Sequence, residues 1–147
     1  MEIAILGLGC FWGPEIKFSK LNGVIKTEVG YCGGNSSETN YKEVCIGTTN
    51  HAEVVKLDFD PKIISYEKIL KYFFEIHDPT TLNSQGPDFG TQYRSEIFCL
   101  NNRQKEISEK IIKEENIKFS GKIVTKTSLV KNYCPAEEYH QKYLEKR

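Results

Sequence analysis

The tightest constraint on how this chain can fold lies at residues 3–14. There a short apolar run gives way to Gly9-Cys10-Phe11-Trp12-Gly13-Pro14. Residues 3–8 read as a buried strand. Pro14 suits the first turn of a helix, where its missing N–H has no partner to lose. The stretch therefore predicts a strand that turns directly into a helix, with a thiol at the junction and the chain's only tryptophan beside it. Glycines on both sides leave the backbone free there. A nucleophilic thiol facing a small apolar ligand fits this arrangement. A cysteine packed beside core aromatics is the plainer alternative. The thiolate is the reactive form, and a helix N-terminus lowers a thiol from its ordinary value of about 8.5. Cys10 is therefore expected to be acidified, with Phe11 and Trp12 as an apolar wall beside it.

Further along, residues 24–31 read as a second strand, and Gly33-Gly34-Asn35-Ser36-Ser37 as a loop. Asn40, with Glu43 three residues on, resembles a capping box for a short helix. Residues 53–59 alternate, with Val55, Leu57 and Phe59 on one face and Val54, Lys56 and Asp58 on the other, the pattern of a half-buried strand. Residues 65–77 form the clearest amphipathic helix, with Ile69, Leu70, Phe73 and Ile76 along one stripe. Residues 78–92 read as one long loop, and loops of that length are often functional. A strand at 95–100, a charged helix at 103–117, a strand at 122–129 and a short helix at 136–144 complete the chain. Ile107, Ile111 and Ile112 face inward on the charged helix. The connections look too short for repeated parallel crossovers. A two-layer α+β sandwich with a mixed or antiparallel sheet is expected.

Composition narrows the function classes. The 147 residues suit one domain, taken as 1–147. Lys and Arg together number 20, as do Asp and Glu, which gives no support to a nucleic-acid or anionic-membrane surface. No apolar run spans a bilayer and no signal peptide is visible, so a cytoplasmic protein is expected. The five cysteines are Cys10, Cys32, Cys45, Cys99 and Cys134. None forms a C-x-x-C pair, which argues against structural zinc. Reduced thiols are expected.

Two other places carry candidate chemistry. Glu53 shares its face with Val55, Leu57 and Phe59. A carboxyl group there must be paired or protonated, because a bare buried charge is costly. Burial raises its pKa and makes it a candidate proton donor near neutral pH. A strand-end carboxylate turned to solvent is the alternative. His51 reads more as a structural turn residue. The long loop ends in Asp88, Gln92, Tyr93 and Arg94; internal hydrogen bonding is the plainer reading of these. Tyr41, taken alone, is one of eight tyrosines.

Together these pieces resemble the A-type peptide methionine sulfoxide reductases. The resemblance is carried by Gly9-Cys10-Phe11-Trp12-Gly13, Gly30-Tyr31-Cys32-Gly33-Gly34, Tyr41-Lys42-Glu43-Val44, His51-Ala52-Glu53, Gly90-Thr91-Gln92-Tyr93-Arg94-Ser95 and Pro135-Ala136-Glu137-Glu138-Tyr139-His140-Gln141. The motifs stand in family order over nearly the whole chain. The resemblance implies reduction of the S epimer of methionine sulfoxide, free or in a protein, on a ferredoxin-like α/β sandwich without a metal or organic cofactor. By that resemblance Cys10 attacks the sulfoxide sulfur and ends as a sulfenic acid. Glu53 protonates the oxygen, Tyr41 and Tyr93 hydrogen-bond it, Phe11 and Trp12 hold the methyl group, and Asp88 helps organise the polar side.

One departure bears on turnover. Many family members carry a resolving cysteine in a glycine-rich tail after the His-Gln motif, whereas here Arg147 lies six residues past Gln141. Cys134 stands just before Pro135, where an aromatic is usual. Three routes stay open: Cys134 resolves Cys10, Cys32 does so from its glycine-flanked turn, or an external thiol such as thioredoxin, glutaredoxin or glutathione attacks the sulfenic acid. Cys45 and Cys99 read as packing residues. A thiol hydrolase using Cys10, His51 and Glu53 is the main rival, and a noncatalytic binding module is the third class.

Overall fold

The computed structural model describes every residue except Ser37, Thr48 and Arg147. The last residue of the predicted 33–37 loop thus lies outside the described residues. The apolar run forms β1 (Glu2–Leu8), and Trp12 opens α1 (Trp12–Ser19) after a three-residue turn that begins at Gly9. Then come β2 (Val24–Cys32), α2 (Tyr41–Ile46), β3 (Ala52–Phe59) and α3 (Tyr66–Glu75). Asn40 and Ser65 cap the two helices by accepting from the backbone N–H of Glu43 and Lys68.

The six-stranded sheet has the order β7-β6-β1-β3-β2-β8, where β6 is Ser95–Cys99, β7 is Lys126–Leu129 and β8 is Cys134–Pro135. Its four central strands run antiparallel, the ferredoxin-like order. The long α4 (Asn102–Lys118) carries the chain back so that β7 joins β6 in parallel. One face of the sheet, with Leu6, Val55 and Leu57, packs against Phe18, Ile69, Phe73 and Ile111 from α1, α3 and α4. The expected α+β sandwich with a mixed sheet is therefore present.

Several local expectations change. The second face of β3 is covered at its start, where Val54 packs with Ile5, Cys32, Ala52 and Phe98 beneath Val130 and Tyr133, while Lys56 and Asp58 stay partly exposed as expected. The predicted loop at 78–92 contains a small hairpin, β4 (Ser84–Gln85) with β5 (Asp88–Phe89), followed by a helical turn at Thr91–Tyr93. Gly86 adopts a positive φ of 56° at its tip, where glycine carries no steric penalty. The strand predicted at 122–129 begins only at Lys126. Before it, the N–H groups of Lys122, Ile123 and Val124 donate to Phe119, the Asn116 side chain and Pro79 instead of a ladder. The helix predicted at 136–144 is instead a turn at Glu138–His140 and a short α5 (Tyr143–Lys146). Local competition explains it. Gln141 bonds both backbone groups of Val29, and the N–H of Lys142 donates to the buried Glu15.

Candidate active site

Cys10 sits between β1 and α1, as the glycines predict. Gly9 has a φ of 100°, and a Cβ there would lie 2.8 Å from Gln85 Cγ. Glycine is thus required both by the backbone and by the β4–β5 hairpin, which packs directly on the junction. The same hairpin brings Asp88 towards Cys10 from far along the chain.

Glu53 lies on β3 opposite Tyr31 of β2, and Tyr31 in turn opposes Cys134 of β8. Residues so paired point to one face, so Glu53, Tyr31 and Cys134 form a row across the sheet on the helical side. Glu53 is only 1% exposed. Its Oε1 accepts from the N–H of Phe11 at 3.3 Å, while Oε2 is buried without a partner among the described residues. Burial pushes its pKa up to about 8; the Phe11 N–H opposes this and Asp88 adds to it. The carboxyl group is therefore mostly protonated at neutral pH, with a proton and no acceptor for it among the described residues.

The helix end does not acidify Cys10. Burial pushes the thiol up to about 11, the hydrogen bond from the Trp12 backbone works the other way, and Glu53 and Asp88 raise it further. Desolvation and two nearby carboxyl groups outweigh one helix terminus. Tyr93 is pushed to about 12 by burial, then by Glu53, Asp88, Cys45 and Cys10. Burial also raises Tyr41, helped by its hydrogen bond to Cys45 and by Glu53 and Tyr93. Both phenols thus stay neutral donors. Glu53 lies within electrostatic reach of Cys10, Asp88, Tyr41 and Tyr93, although the five come from separate parts of the chain.

The two aromatics after Cys10 divide their work. Phe11 is 1% exposed, its ring centroid 5.8 Å from that of Tyr31 and 5.3 Å from that of His140. It is a buried floor rather than an exposed wall. Trp12 is half-buried; it stacks on Tyr143 at 3.9 Å and its Nε1 donates to His140 Nδ1 at 3.1 Å.

The remaining cysteines separate clearly. Cys32 is fully buried in the core of the opposite face, and its Sγ contacts the Lys131 carbonyl, so it has no path to Cys10. Cys99 packs as expected. Cys45 does not: it is exposed, four residues after Tyr41 on α2, beside that phenol. Cys134 is half-buried near the Thr39 carbonyl, with Tyr31 standing between it and Glu53 in the row. His51 is buried and structural: its Nε2 meets the Ser36 carbonyl at 2.8 Å, and its ring fills the space a Cβ on Gly34 would occupy. It does not orient Glu53.

Glu137 and His140, which the sequence marks only as parts of a motif, also border the site. Glu137 accepts from the Tyr31 hydroxyl at 2.8 Å and the Tyr41 backbone at 3.0 Å, tying α2 to the sheet beside the site. His140 is 2% exposed and contacts Phe11, Trp12 and Tyr41. Among the described residues, no group of three or more His, Cys, Asp or Glu side chains is placed to hold a metal ion. Nor is any helix long and apolar enough to cross a membrane.

Comparison with known proteins agrees with this geometry. Residues 2–147 match the profile of a family described as peptide methionine sulfoxide reductase. The chain is 82% identical, over the full length of both, to peptide methionine sulfoxide reductase MsrA of Pelagibacter ubique. It superposes on reduced Mxr1 from Saccharomyces cerevisiae with a TM-score of 0.95 and 42% identity, covering 99% of this chain and 85% of that one. It also matches Mxr1 in complex with Trx2, with a TM-score of 0.70 and 28% identity over 97% of this chain and 84% of that one.

Proposed function

Because the chain belongs to the peptide methionine sulfoxide reductase family, we propose that it reduces methionine-S-sulfoxide, free or in proteins, to methionine at the expense of a thiol. The observation that carries the assignment of roles is Glu53 Oε2, a buried and partnerless carboxyl oxygen beside the Cys10 thiol. A protonated acid with no internal acceptor is suited to a substrate oxygen.

In this reading the sulfoxide oxygen enters between Glu53, Tyr41 and Tyr93, and its methyl group rests against Trp12 over the Phe11 floor. Burial keeps the acid protonated, and Asp88 adds to that. Cys10 sulfur attacks the sulfoxide sulfur as Glu53 protonates the oxygen, and the two phenols stabilise the charge developing there. The oxygen passes to Cys10, methionine leaves, and the proton of the thiol refills Glu53. The product is a sulfenic acid, on the reversible part of the cysteine oxidation ladder. Two external thiols then restore Cys10 and release water and a disulfide. The complex of the yeast relative with Trx2 supports a thioredoxin in that role, with glutaredoxin or glutathione as alternatives. Dependence on a thiol donor supports a reducing, cytoplasmic setting. Residues 1–147 act as one catalytic unit.

The rival hydrolase needs His51 to orient or deprotonate its partners, and His51 and Glu53 bond to different groups. The test is turnover of resolved epimers with dithiothreitol. The S epimer should be consumed with stoichiometric methionine, and the R epimer should remain. Equal consumption of both epimers, or of neither, contradicts the proposal.

A further inference from the structure

Trp12 is the only tryptophan, and its ring is held from two sides by the C-terminal segment. Tyr143 stacks on one face with an interplanar angle of 14°. His140 accepts the indole N–H on Nδ1 at 3.1 Å. An indole N–H can only donate, so Nδ1 must carry a lone pair and the proton must sit on Nε2. That Nε2 is buried and has no hydrogen-bond partner among the described residues. His140 thus leaves a buried polar atom unpaired while meeting the Trp12 indole with the acceptor that it needs. An arrangement that leaves a polar atom so unsatisfied calls for a reason.

We propose that His140 is the positioning residue of the substrate pocket: its neutral, Nε2-protonated form holds the Trp12 indole at the angle that receives the substrate's methyl group. His140 does not touch the reacting atoms. It acts through Trp12, and it links the pocket to the Glu137–Gln141 motif that ties the C-terminal segment to β2. A protonated imidazole would present an N–H to the indole N–H, donor against donor, and the clamp would open. The groups facing His140 are Glu137 on its own segment, Tyr139 beside it and Tyr41 from α2, of which only Glu137 carries charge at neutral pH. Burial lowers the pKa of His140 and Glu137 partly offsets that, which keeps the holding form dominant at neutral pH.

The inference rests on Trp12 contacting the substrate, and the experiment separates the two ideas. Steady-state kinetics with methionine-S-sulfoxide would be measured for His140→Leu, His140→Asn, Trp12→Phe, Trp12→Leu and the double variant Trp12→Phe/His140→Leu. Intrinsic fluorescence of the single indole would be recorded wherever Trp12 is kept. Asn places its Oδ1 near the position of Nδ1 but does not titrate. His140→Leu should raise KM about ten-fold, the net worth of roughly one hydrogen bond, with kcat changed less than about two-fold. It should also shift the indole emission. His140→Asn should restore both, and should lose the emission change expected of the parent protein as acidification protonates His140. The double variant should be no worse than the worse single one, since both remove one interaction. If Trp12→Leu raises KM while His140→Leu leaves KM and emission at parental values, the inference is overturned and the reading of Trp12 stands. If neither Trp12 variant changes KM, the reading of Trp12 fails and the inference with it. Additive losses in the double variant, or no rescue by asparagine, also overturn it.

Discussion

Glu53→Gln is expected to lower kcat/KM for methionine-S-sulfoxide by about 100- to 10,000-fold, the usual range for loss of a positioned general acid. Glutamine keeps an oxygen for the Phe11 N–H and removes the titrating proton. The proposed acid role needs the protonated form, so the parent enzyme's reductive step should slow as pH rises through about 8, the value to which burial lifts Glu53. In the variant that alkaline limb should disappear. Stability should move the other way. The folded-state pKa is raised, so the carboxyl group's contribution to stability is full below its unfolded value of 4.5 and is lost as pH rises through about 8. The neutral amide escapes that loss. The variant's melting temperature relative to the parent should therefore climb between pH 5 and 9. Shifts of this size correspond to an upper bound of roughly 4–5 kcal/mol. A variant with parental turnover, or with a pH-independent stability difference, would remove Glu53 from the acid role.

The second large effect is Cys10→Ser. A serine hydroxyl cannot take the sulfoxide oxygen and return it to a thiol donor, so turnover should fall to the uncatalysed background. The raised thiol pKa sharpens what the site must do. Near neutral pH the free enzyme holds Cys10 as a thiol, because burial opposes the thiolate and the nearby Asp88 adds to that. Ionisation is therefore coupled to substrate arrival. In the proposed mechanism, proton loss from sulfur occurs as the sulfoxide oxygen takes the proton of Glu53, and no free thiolate has to persist. Alkylation of Cys10 by iodoacetamide at pH 7 should accordingly be slower than that of an unperturbed thiol, since the thiolate is the form that reacts.

Much of this arrangement was legible before any coordinates. The alternation of β3 put Glu53 on the side of Val55 and Leu57, and the residue is indeed buried there. The glycines, the proline and the apolar run placed Cys10 at a strand-to-helix junction. What failed was environment. The thiol pKa was read from the helix end alone, but it is governed by burial and by Glu53 and Asp88, which are distant in sequence and near in space. Cys45 reads as a packing residue because nothing in the local sequence reveals that its side of α2 faces outwards beside Tyr41. The terminal helix was misread for a related reason: Glu15, Gln141 and Val29 pull that backbone into tertiary hydrogen bonds that outbid a local helix. His140 gave no signal beyond its place in a motif, because its role depends on an indole 128 positions away in the chain.

The most direct test is a single turnover without reductant. The enzyme would be mixed with one equivalent of methionine-S-sulfoxide, methionine would be quantified, and Cys10 would be trapped with a sulfenic-acid-specific dione before peptide mapping. About one methionine should form per protein, with the adduct on Cys10, and the Cys10→Ser variant should form none. Methionine released with Cys10 unmodified, or a requirement for reductant before any methionine appears, would contradict attack by Cys10 sulfur.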